Sequence, residues 1–460
     1  MDHREAPWVT QRTLPLLADL YAFTMLEAYL REGLEQEAVF SVFARQLAPT
    51  RSYALACGLE QVLDQLEQLS FDGEAVAFLR SLSLFSERTL AYLERLRFTG
   101  DVFAMAEGTP FFASEPILEV VAPLPQAQLL EAWVLNQLHV QSLAASKAAR
   151  VVHAAAGRTV VDFGLRRTQG ADAAIKVARG AYLAGAHATS NVLAGRFFGI
   201  PVVGTMAHSY VQAHPAELDA FRAFVRAFPE AVLLVDTYDT PRGVREVIRL
   251  ARELGAAFKV SAVRLDSGDM FTLSREARRL LDEAGLKQVG IFASGGLDEH
   301  EVARLVKSGA PITGFGVGTA LGVSDDAPSL DLVYKLVAYA GTDRTKLSPS
   351  KVLLPGRKQV FRVLRDGRVH HDVLAGDGEV HPGEPLLRQV MRNGRRCDGG
   401  PTPLAELRRA TLTACAALPE RIQALSGAGQ PYVVEVSEAL NARLARARHA
   451  LQAGTSGAGA

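Results

Sequence analysis

The sequence is poor in cysteine and has no net charge, and both shortages argue against whole classes of protein. Its 460 residues include three cysteines, Cys57, Cys397 and Cys415, which lie far apart, are odd in number and form no CxxC pair. This argues against a disulfide framework or a zinc ribbon. Lys plus Arg (50) equal Asp plus Glu (50), so no global field favours nucleic acid or a membrane surface. We expect no nucleic-acid partner, and any anion site must be built locally.

Long uncharged stretches are also missing. No run of about 18 uncharged apolar residues occurs, and the start, MDHREAPWVTQR, has early acidic residues and no apolar signal segment. We therefore expect no membrane partner and a cytoplasmic location. With 48% hydrophobic residues, the chain can bury a large core, and its length suggests two or three domains.

The first 125 residues combine helical and strand patterns. LLADLYAFTMLEAYL and GLEQVLDQLEQL have the apolar spacing of amphipathic helices, and AVFSVFARQL between them alternates like a strand. Residues 99–122 are rich in β-branched and aromatic residues punctuated by Gly and Pro, which predicts short strands and turns. We expect an α/β N-terminal domain over residues 1–125.

From residue 126 a long predicted helix, LLEAWVLNQLHVQSLAASKAARVVHAA, leads into a repeated pattern. After Gly157 about six or seven apolar strands alternate with amphipathic helices, which is typical of a (β/α) barrel. The predicted strands are TVVDFG, PVVGTM, AVLLVDT, KVSAVRLDS, QVGIFAS and ITGFGVGT. We place an irregular barrel at residues 126–334. Residues 335–460 form C-terminal segments with a final helix, SEALNARLARARHALQ, and a tail predicted to be disordered after about residue 453.

Polar residues stand where the active site of such a barrel is expected. Active sites of (β/α) barrels lie at the carboxyl ends of the strands, and here those ends are polar, charged or glycine-rich while the strands are apolar. The residues at these ends are Asp162, Thr205, Asp236, Arg264, Asp266, Ser294 and residues 316–319.

Two glycine-rich turns follow the last two predicted strands. ASGGL contains Gly295 and Gly296, and GFGVGT contains Gly316 and Gly318 and ends at Thr319. Glycine lets backbone N–H groups approach an anion, and a following helix N-terminus favours negative charge. The pair suits a sugar phosphate, although either turn alone is also explained by tight connection geometry. No GxxxxGK[ST] loop occurs, so ATP, if used, binds outside a P-loop.

Further polar residues near the predicted strand ends can have either a functional or a purely structural role. Arg264 of VRLDSGD can clamp a carboxylate or phosphate while Asp266 holds Mg²⁺, or the two can form a structural ion pair. His208 of GTMAHSYV can be an acid, a base or a nucleophile, or a satisfied loop histidine. Ser190 lies in ATSN before an apolar helix, where capping is the simpler explanation.

Taken together, the motifs resemble those of nicotinate phosphoribosyltransferases in order and spacing. The resemblance covers about residues 13–365 and includes VFSVFARQLAPTRSY, DFGLRRTQGADAAIKVARGAY, TSNVLAGRFFGIPVVGTMAHSY, VRLDSGD, ASGGLDE and KLSPSKVLLPGRKQVFR. It implies a homodimer with shared active sites, in which C-terminal segments complete an α/β N-terminal domain beside an irregular (β/α) barrel. The implied reaction belongs to NAD salvage: nicotinate and phosphoribosyl pyrophosphate give nicotinate mononucleotide and pyrophosphate, with Mg²⁺ and ATP hydrolysis.

The resemblance also implies roles for individual residues. His208 is the histidine that ATP phosphorylates, and it forms the catalytic set with Arg264 and Asp266. The implied nicotinate site consists of Phe163, Arg166, Ser190, Thr205, Arg264 and, from the neighbouring subunit, Tyr21. The implied phosphate site consists of Asp236, Ser294, Gly295, Gly296, Gly316, Gly318, Thr319 and, from the neighbouring subunit, Arg45. Asp236 and Asp266 are candidates for ribose hydroxyls or Mg²⁺, and Lys346, Arg357 and Lys358 are looser phosphate candidates.

Other activities remain open at this point. The related enzyme that uses nicotinamide carries an aspartate where this chain has Ser190, and since an aspartate would repel a carboxylated ring, Ser190 favours nicotinate. Quinolinate would require a further basic cluster for its second carboxylate. A non-catalytic phosphosugar or nucleotide-binding barrel is a second class. An aldolase-type barrel is a third, but its Schiff-base lysine would have to be Lys259, which is at a strand start.

Overall fold

The computed structural model describes residues 9–347, 352–397, 400–426 and 432–456. The N-terminal elements are α1 (Leu20–Glu32), β1 (Glu37–Ala44), β2 (Ala54–Leu55), α2 (Leu59–Gln68), α3 (Gly73–Ser81), α4 (Glu87–Arg95), β3 (Asp101–Met105), β4 (Pro110–Phe111), β5 (Pro116–Pro123) and α5 (Leu124–Leu129). The central elements are α6 (Glu131–Ala154), β6 (Thr159–Asp162), α7 (Ala171–Leu183), β7 (Ala188–Thr189), α8 (Val192–Phe198), α9 (His208–Gln212), α10 (Glu217–Ala227), β8 (Val232–Leu234), α11 (Thr240–Leu254), β9 (Ala262–Leu265), α12 (Met270–Glu283), β10 (Gly290–Ala293), α13 (Glu299–Lys307), β11 (Gly314–Val317) and α14 (Thr319–Val323). The C-terminal elements are β12 (Leu332–Tyr339), β13 (Thr342–Asp343), β14 (Lys358–Arg365), β15 (Arg368–Gly376), β16 (Glu384–Pro385), β17 (Leu387–Arg392), β18 (Arg395–Arg396), α15 (Leu404–Ala416), α16 (Glu420–Gln423), β19 (Val434–Val436) and α17 (Glu438–Ser456).

A seven-stranded sheet, in the order β13-β12-β1-β5-β3-β17-β18, forms the N-terminal domain. Its central strand β1 is buried along almost its whole length and pairs antiparallel with β5 on one side and β12 on the other. Because β12 and β17 come from late in the sequence, the prediction that C-terminal segments complete this domain is confirmed. The expected boundary at residue 334 falls inside β12 (Leu332–Tyr339), which belongs to this sheet.

The central region contains a six-stranded parallel sheet in the order β7-β6-β11-β10-β9-β8. The expected α/β fold is confirmed, as an irregular half-barrel with β7 and β8 at its edges. The predicted strand PVVGTM is wrong: within it only Val202 makes an isolated bridge, to Thr189. Proline has no N–H to donate to a ladder, and Pro201 begins this stretch.

The long helix α6 joins the two regions. Its first half, with Val134 and Leu138, packs in the N-terminal core, and its second half, with Ala144 and Ala148, packs in the barrel core. The prediction of one long helix here is confirmed.

The C-terminal segments, which we expected to pack on the N-terminal domain, also contact the barrel. Leu407 and Leu418 are buried in the barrel core, and Arg408 donates to the carbonyls of Gly185 and Ala186. α17 continues to Ser456, past the predicted start of a disordered tail, and residues 457–460 lie outside the described residues. No helix in the described ranges is long and apolar enough to cross a membrane.

Candidate functional site

Arg264, in β9, is the centre of a hydrogen-bonded cluster at the carboxyl edge of the parallel sheet. Its Nε donates to Ser294 Oγ at 2.8 Å, its Nη1 to Thr205 Oγ1 at 2.9 Å and Met206 O at 3.4 Å, and its Nη2 to Asp266 Oδ1 at 2.6 Å. These contacts occupy four of the five N–H groups that a guanidinium carries. One N–H on Nη2 therefore has no partner in the described part of the chain and can meet a ligand.

Asp266 ties this guanidinium to the histidine. Its Oδ1 accepts from Arg264 and from Ser294 Oγ at 2.5 Å, and its Oδ2 lies 3.8 Å from His208 Nε2. Burial alone would raise the pKa of Asp266, but the Ser294 hydroxyl, Arg264 and His208 outweigh it and lower that pKa. Asp266 is therefore an anion at neutral pH, fixed by the groups around it.

Asp236, which follows β8, accepts hydrogen bonds from the loop after β9 through one carboxylate oxygen only. Its Oδ2 accepts from the backbone N–H of Asp266 at 2.9 Å and from Ser267 Oγ at 2.6 Å. Its Oδ1 is buried and has no hydrogen-bond partner among the described residues. A buried carboxylate oxygen without a partner is costly unless a ligand completes it, and it is the donor type that Mg²⁺ prefers.

His208 is the first residue of α9, directly beside this carboxylate cluster. Its Nδ1 lies 3.2 Å from Thr237 Oγ1, and its side chain is 42% exposed. The Thr237 hydroxyl engages Nδ1, so Nε2, which lies 3.8 Å from Asp266 Oδ2, is the nitrogen that can act as a nucleophile.

An aromatic face lies next to Arg264. Phe163 directly follows β6, and its ring centroid lies 5.5 Å from the Arg264 guanidinium and 6.0 Å from the Phe292 ring. The loop is held from behind by Asp162, which accepts from Gly164 N at 2.8 Å and Thr189 Oγ1 at 2.7 Å. A flat ring bearing a carboxylate can stack here and reach the guanidinium.

The two predicted phosphate loops differ in what their glycines do. Gly295 has φ +84° and a Cβ there would stand 1.8 Å from Asp266 O, so only glycine fits where the loop crosses Asp266. Gly318 precedes α14 and Thr319 begins it. Gly316 is different, because it is buried inside β11 and a Cβ there would stand 2.4 Å from the Phe163 ring. It makes room for that ring, and its expected contact with phosphate stays a prediction.

Comparison with known proteins identifies the family. The model of the nicotinate phosphoribosyltransferase N-terminal domain matches residues 16–139, and the model of the nicotinate phosphoribosyltransferase family matches residues 159–339. The chain belongs to the nicotinate phosphoribosyltransferase family. It is 53% identical over 442 residues to a nicotinate phosphoribosyltransferase of Mycobacterium tuberculosis, which covers 96% of each chain. It is 33% identical to the human nicotinate phosphoribosyltransferase over 518 aligned positions, which cover 93% of this chain and 95% of the human one.

Solved structures agree with this assignment. The crystal structure of human nicotinic acid phosphoribosyltransferase superimposes with a TM-score of 0.84 at 30% identity, over 93% of this chain and 99% of that one. A nicotinate-nucleotide pyrophosphorylase from Pyrococcus furiosus gives a TM-score of 0.74 at 25% identity, over 90% of this chain and 98% of that one. The expectations of an enzyme and of this family are confirmed, and the aldolase-type barrel is set aside.

Two residues that the family resemblance assigned to the nicotinate site lie at its edge. Arg166 is exposed in a short 3-10 turn, Leu165–Arg167. Ser190 is half-buried directly after β7, and its backbone N–H donates to Asp162 O at 2.9 Å. The capping interpretation holds for its neighbour Asn191, whose side chain accepts from Ala194 N at 3.1 Å.

Tyr21 and Arg45 lie in the N-terminal domain, apart from the Arg264 cluster of the same chain. Tyr21 is exposed on α1, and partial burial and a hydrogen bond with Glu131 raise its pKa to about 12. Phe23, two residues on, is buried in the core, as expected for residues that do not share a helix face. Arg45 lies 3.3 Å from Asp331 Oδ1.

Arg45 also lines a basic pocket of about 160 Å³ on the N-terminal domain. The lining residues are Phe43, Arg45, Ser114, Lys335, Lys346, Val352 and Leu353. The sequence argument did not single out Lys335 of this pocket. Lys335 lies in β12 opposite Ser41 of β1, and it lines the same pocket as Arg45.

Arg357 and Lys358 are not free for phosphate, which corrects their candidacy. Lys358 is buried in the seven-stranded domain, 3.2 Å from Glu119 Oε1 and bonded to Ser41 Oγ at 2.9 Å. Arg357 stacks on the Phe103 ring at 3.9 Å and pairs with Asp377. A basic stretch in sequence does not reveal which of its cations already have partners.

Proposed function

We propose that this protein joins nicotinate to phosphoribosyl pyrophosphate, giving nicotinate mononucleotide and pyrophosphate, as a cytoplasmic step of NAD salvage coupled to ATP hydrolysis. The observation that carries the proposal is the pairing of Phe163 with Arg264, a ring face and a guanidinium 5.5 Å apart. The N–H on Arg264 Nη2 that stays free would receive the carboxylate of a pyridine ring stacked on Phe163. Arg166 and Thr205 would complete the rim of this site.

The transfer needs positioning more than acid–base chemistry. The ring nitrogen of nicotinate attacks C1 of the ribose with its own lone pair, while the C1–O bond to pyrophosphate breaks and its electrons leave with pyrophosphate. No proton has to be removed from the attacking nitrogen, so no general base is required. The sugar gains positive charge at the transition state, and the carboxylate of Asp266, which is ionised at neutral pH, would stabilise it.

The phosphates would lie on the loops after β10 and β11, against Ser294, Gly295, Gly296, Gly318 and Thr319. Asp236 is the residue that fits magnesium, through its buried Oδ1 oxygen. Magnesium bound there, with substrate oxygens as its other ligands, would neutralise charge on the leaving pyrophosphate. No group of three or more metal-ligating side chains stands ready in the described ranges, so substrate oxygens and water would supply the remaining ligands.

His208 would take the phosphoryl group of ATP on Nε2. If Nδ1–H donates to Thr237 Oγ1, the lone pair on Nε2 is free. That lone pair attacks the γ-phosphorus, the bond to the bridging oxygen breaks, and ADP leaves with that electron pair. The phosphorylated histidine carries nearly two negative charges beside Asp266, which would reorder the nearby loops and change their affinity for anionic substrates.

The complete site would form between two copies of the chain. The barrel edge carries exposed apolar side chains, among them Val192 (71% exposed) and Phe197 (62%), and α1 exposes Leu20 and Tyr21. Burying these surfaces against each other would be favourable. In such a homodimer Tyr21 would stack on the nicotinate ring, and the basic pocket around Arg45 would face the phosphates of the other copy.

Ser190 would decide between nicotinate and nicotinamide. The test measures both mononucleotides by chromatography after incubation with phosphoribosyl pyrophosphate, for the wild-type protein and for Ser190→Asp and Ser190→Ala. We expect faster turnover of nicotinate by the wild type and by Ser190→Ala. Ser190→Asp should lower kcat/KM for nicotinate by about tenfold or more, because a carboxylate now faces the substrate carboxylate. Faster turnover of nicotinamide by the wild type would contradict the proposal.

A further inference from the structure

A buried group of charged residues lies behind the proposed phosphate loops and takes no part in the site described above. Its centre is Lys147, from the second half of α6, whose side chain is 1% exposed. Lys147 Nζ lies 2.5 Å from Glu299 Oε2, 2.9 Å from Asp325 Oδ1 and 2.9 Å from Asp326 Oδ1. One ammonium therefore joins three carboxylates from two separate segments.

Two arginines balance the remaining negative charge. Arg150, one turn along α6, donates from Nε to Glu299 Oε1 at 2.8 Å. Arg51, from the N-terminal domain, binds Asp326 with two hydrogen bonds of 2.8 Å, from Nε and Nη2. With Lys147 these make three cations against three carboxylates, so the buried charges are compensated.

All three carboxylates hold loops rather than packing a core. Glu299 is the first residue of α13, three positions after Gly296 of the first glycine-rich loop. Asp325 and Asp326 follow Ser324, the C-cap of α14, and α14 is the helix that begins at the second glycine-rich loop. The far end of each loop segment is therefore anchored to the same Lys147 ammonium.

The charge state of the cluster agrees with a fixed anchor. Burial opposes ionisation of Glu299 and Asp326, but hydrogen bonds and opposite charges from the cations lower the pKa of both. Burial likewise opposes the charged form of Lys147, while the hydrogen bonds that its ammonium donates to the three carboxylates raise its pKa. All of these groups are ionised at neutral pH, so loss of the ammonium would leave excess negative charge in a buried place.

We propose that Lys147 is a positioning residue that sets the spacing between the two glycine-rich loops and thereby their affinity for phosphoribosyl pyrophosphate. It contacts no substrate and acts through Glu299, Asp325 and Asp326. Without it the carboxylates repel one another, and the two loops separate from their common anchor. The inference rests on the proposed location of the phosphates on these loops.

The effect should fall on one substrate. Phe163 and Arg264, which would bind nicotinate, have no contact with Lys147, and Arg264 meets the first glycine-rich loop through Ser294 at its strand end. A change in loop spacing should raise KM for phosphoribosyl pyrophosphate and leave KM for nicotinate nearly unchanged. A general loss of stability would not change KM for one substrate more than KM for the other.

The experiment compares Lys147→Met with Lys358→Met in the full chain. Lys358 is a matched control, since it is equally buried and paired with Glu119, but in the seven-stranded sheet. We expect Lys147→Met to raise KM for phosphoribosyl pyrophosphate by about tenfold and KM for nicotinate by less than about twofold. It should also reduce the rise in melting temperature that pyrophosphate alone produces. Lys358→Met should lower the melting temperature without this split.

Asp325→Asn is a milder second variant, because Asp325 is 49% exposed and its loss should not prevent folding. We expect a smaller rise in KM for phosphoribosyl pyrophosphate, again with KM for nicotinate nearly unchanged. This variant decides the question if Lys147→Met does not fold. Equal changes in both KM values, no change in a folded variant, or the same split in Lys358→Met would overturn the inference. A wild-type protein that forms no nicotinate mononucleotide would instead contradict the proposed function.

Discussion

The ring of Phe163 occupies the space that a side chain at position 316 would need. A Cβ on Gly316 would stand 2.4 Å from the ring. Gly316 lies in β11, and Phe163 directly follows β6, the neighbour of β11 in the sheet. The missing side chain lets the ring lie against β11 and face Arg264. The stacking surface of the proposed nicotinate site therefore depends on the absence of a side chain at Gly316.

Gly316→Ala should weaken nicotinate binding selectively. The added methyl group must displace the Phe163 ring, so KM for nicotinate should rise by about tenfold while KM for phosphoribosyl pyrophosphate changes little. Steady-state kinetics with each substrate varied in turn measures this. Gly73→Ala is the control, because a Cβ at Gly73 meets no atom within 4 Å. An unchanged KM for nicotinate in Gly316→Ala would show that the ring does not form the site.

Gly316 also shows what sequence can and cannot predict here. The spacing of GFGVGT correctly indicates a strand followed by a turn, and the strand-end rule correctly brings Arg264, Asp266, Ser294 and Asp236 to one edge. It does not reveal that Gly316 faces a ring from the neighbouring strand, since that contact depends on the register between β6 and β11. In the same way, the partners of Lys147 come from segments more than 140 residues away in sequence, and no local pattern marks them.

Arg264→Lys keeps the positive charge at this position, but it should still strongly impair the use of nicotinate. A lysine ammonium cannot reproduce the fork that reaches Ser294, Thr205 and Asp266 and still offers an N–H to a ligand. We expect kcat/KM for nicotinate to fall about 10- to 100-fold, since charge-assisted hydrogen bonds are worth about 1.5–3 kcal/mol.

The control for that variant is Arg158→Lys. Arg158 donates to Ile312 O at 3.0 Å, at the start of β6 and so at the opposite end of the sheet. The Arg158→Lys variant should keep the wild-type kcat/KM for nicotinate. A fall of the same size in both variants would mean that Arg264 acts only through stability.

Glu217→Gln should change how stability depends on pH. Glu217 is 4% exposed, and neither carboxylate oxygen has a hydrogen-bond partner among the described residues. Burial, opposed by Arg242 and reinforced by neighbouring carboxylates, raises its pKa from 4.5 to about 7. The folded state therefore binds more protons than the unfolded state in this window, and its stability falls as pH rises from about 4.5 to 7.

Glutamine has no proton to lose, so the variant should escape this decline. Thermal melts across the pH range should give Glu217→Gln a melting temperature roughly 2–4 °C above the wild type at pH 8 and a much smaller difference at pH 5. Parallel profiles for the two proteins would show that Glu217 does not stay protonated in the folded state.

The phosphohistidine is the central claim of this account, and labelling with γ-labelled ATP tests it most directly. The control variant is His214→Ala, whose histidine lies two residues after the end of α9 and contacts Tyr210 O. The wild type and this control should both acquire an acid-labile phosphoryl label. His208→Ala should acquire none. Absence of an acid-labile label on the wild type, or its persistence in His208→Ala, would contradict the account.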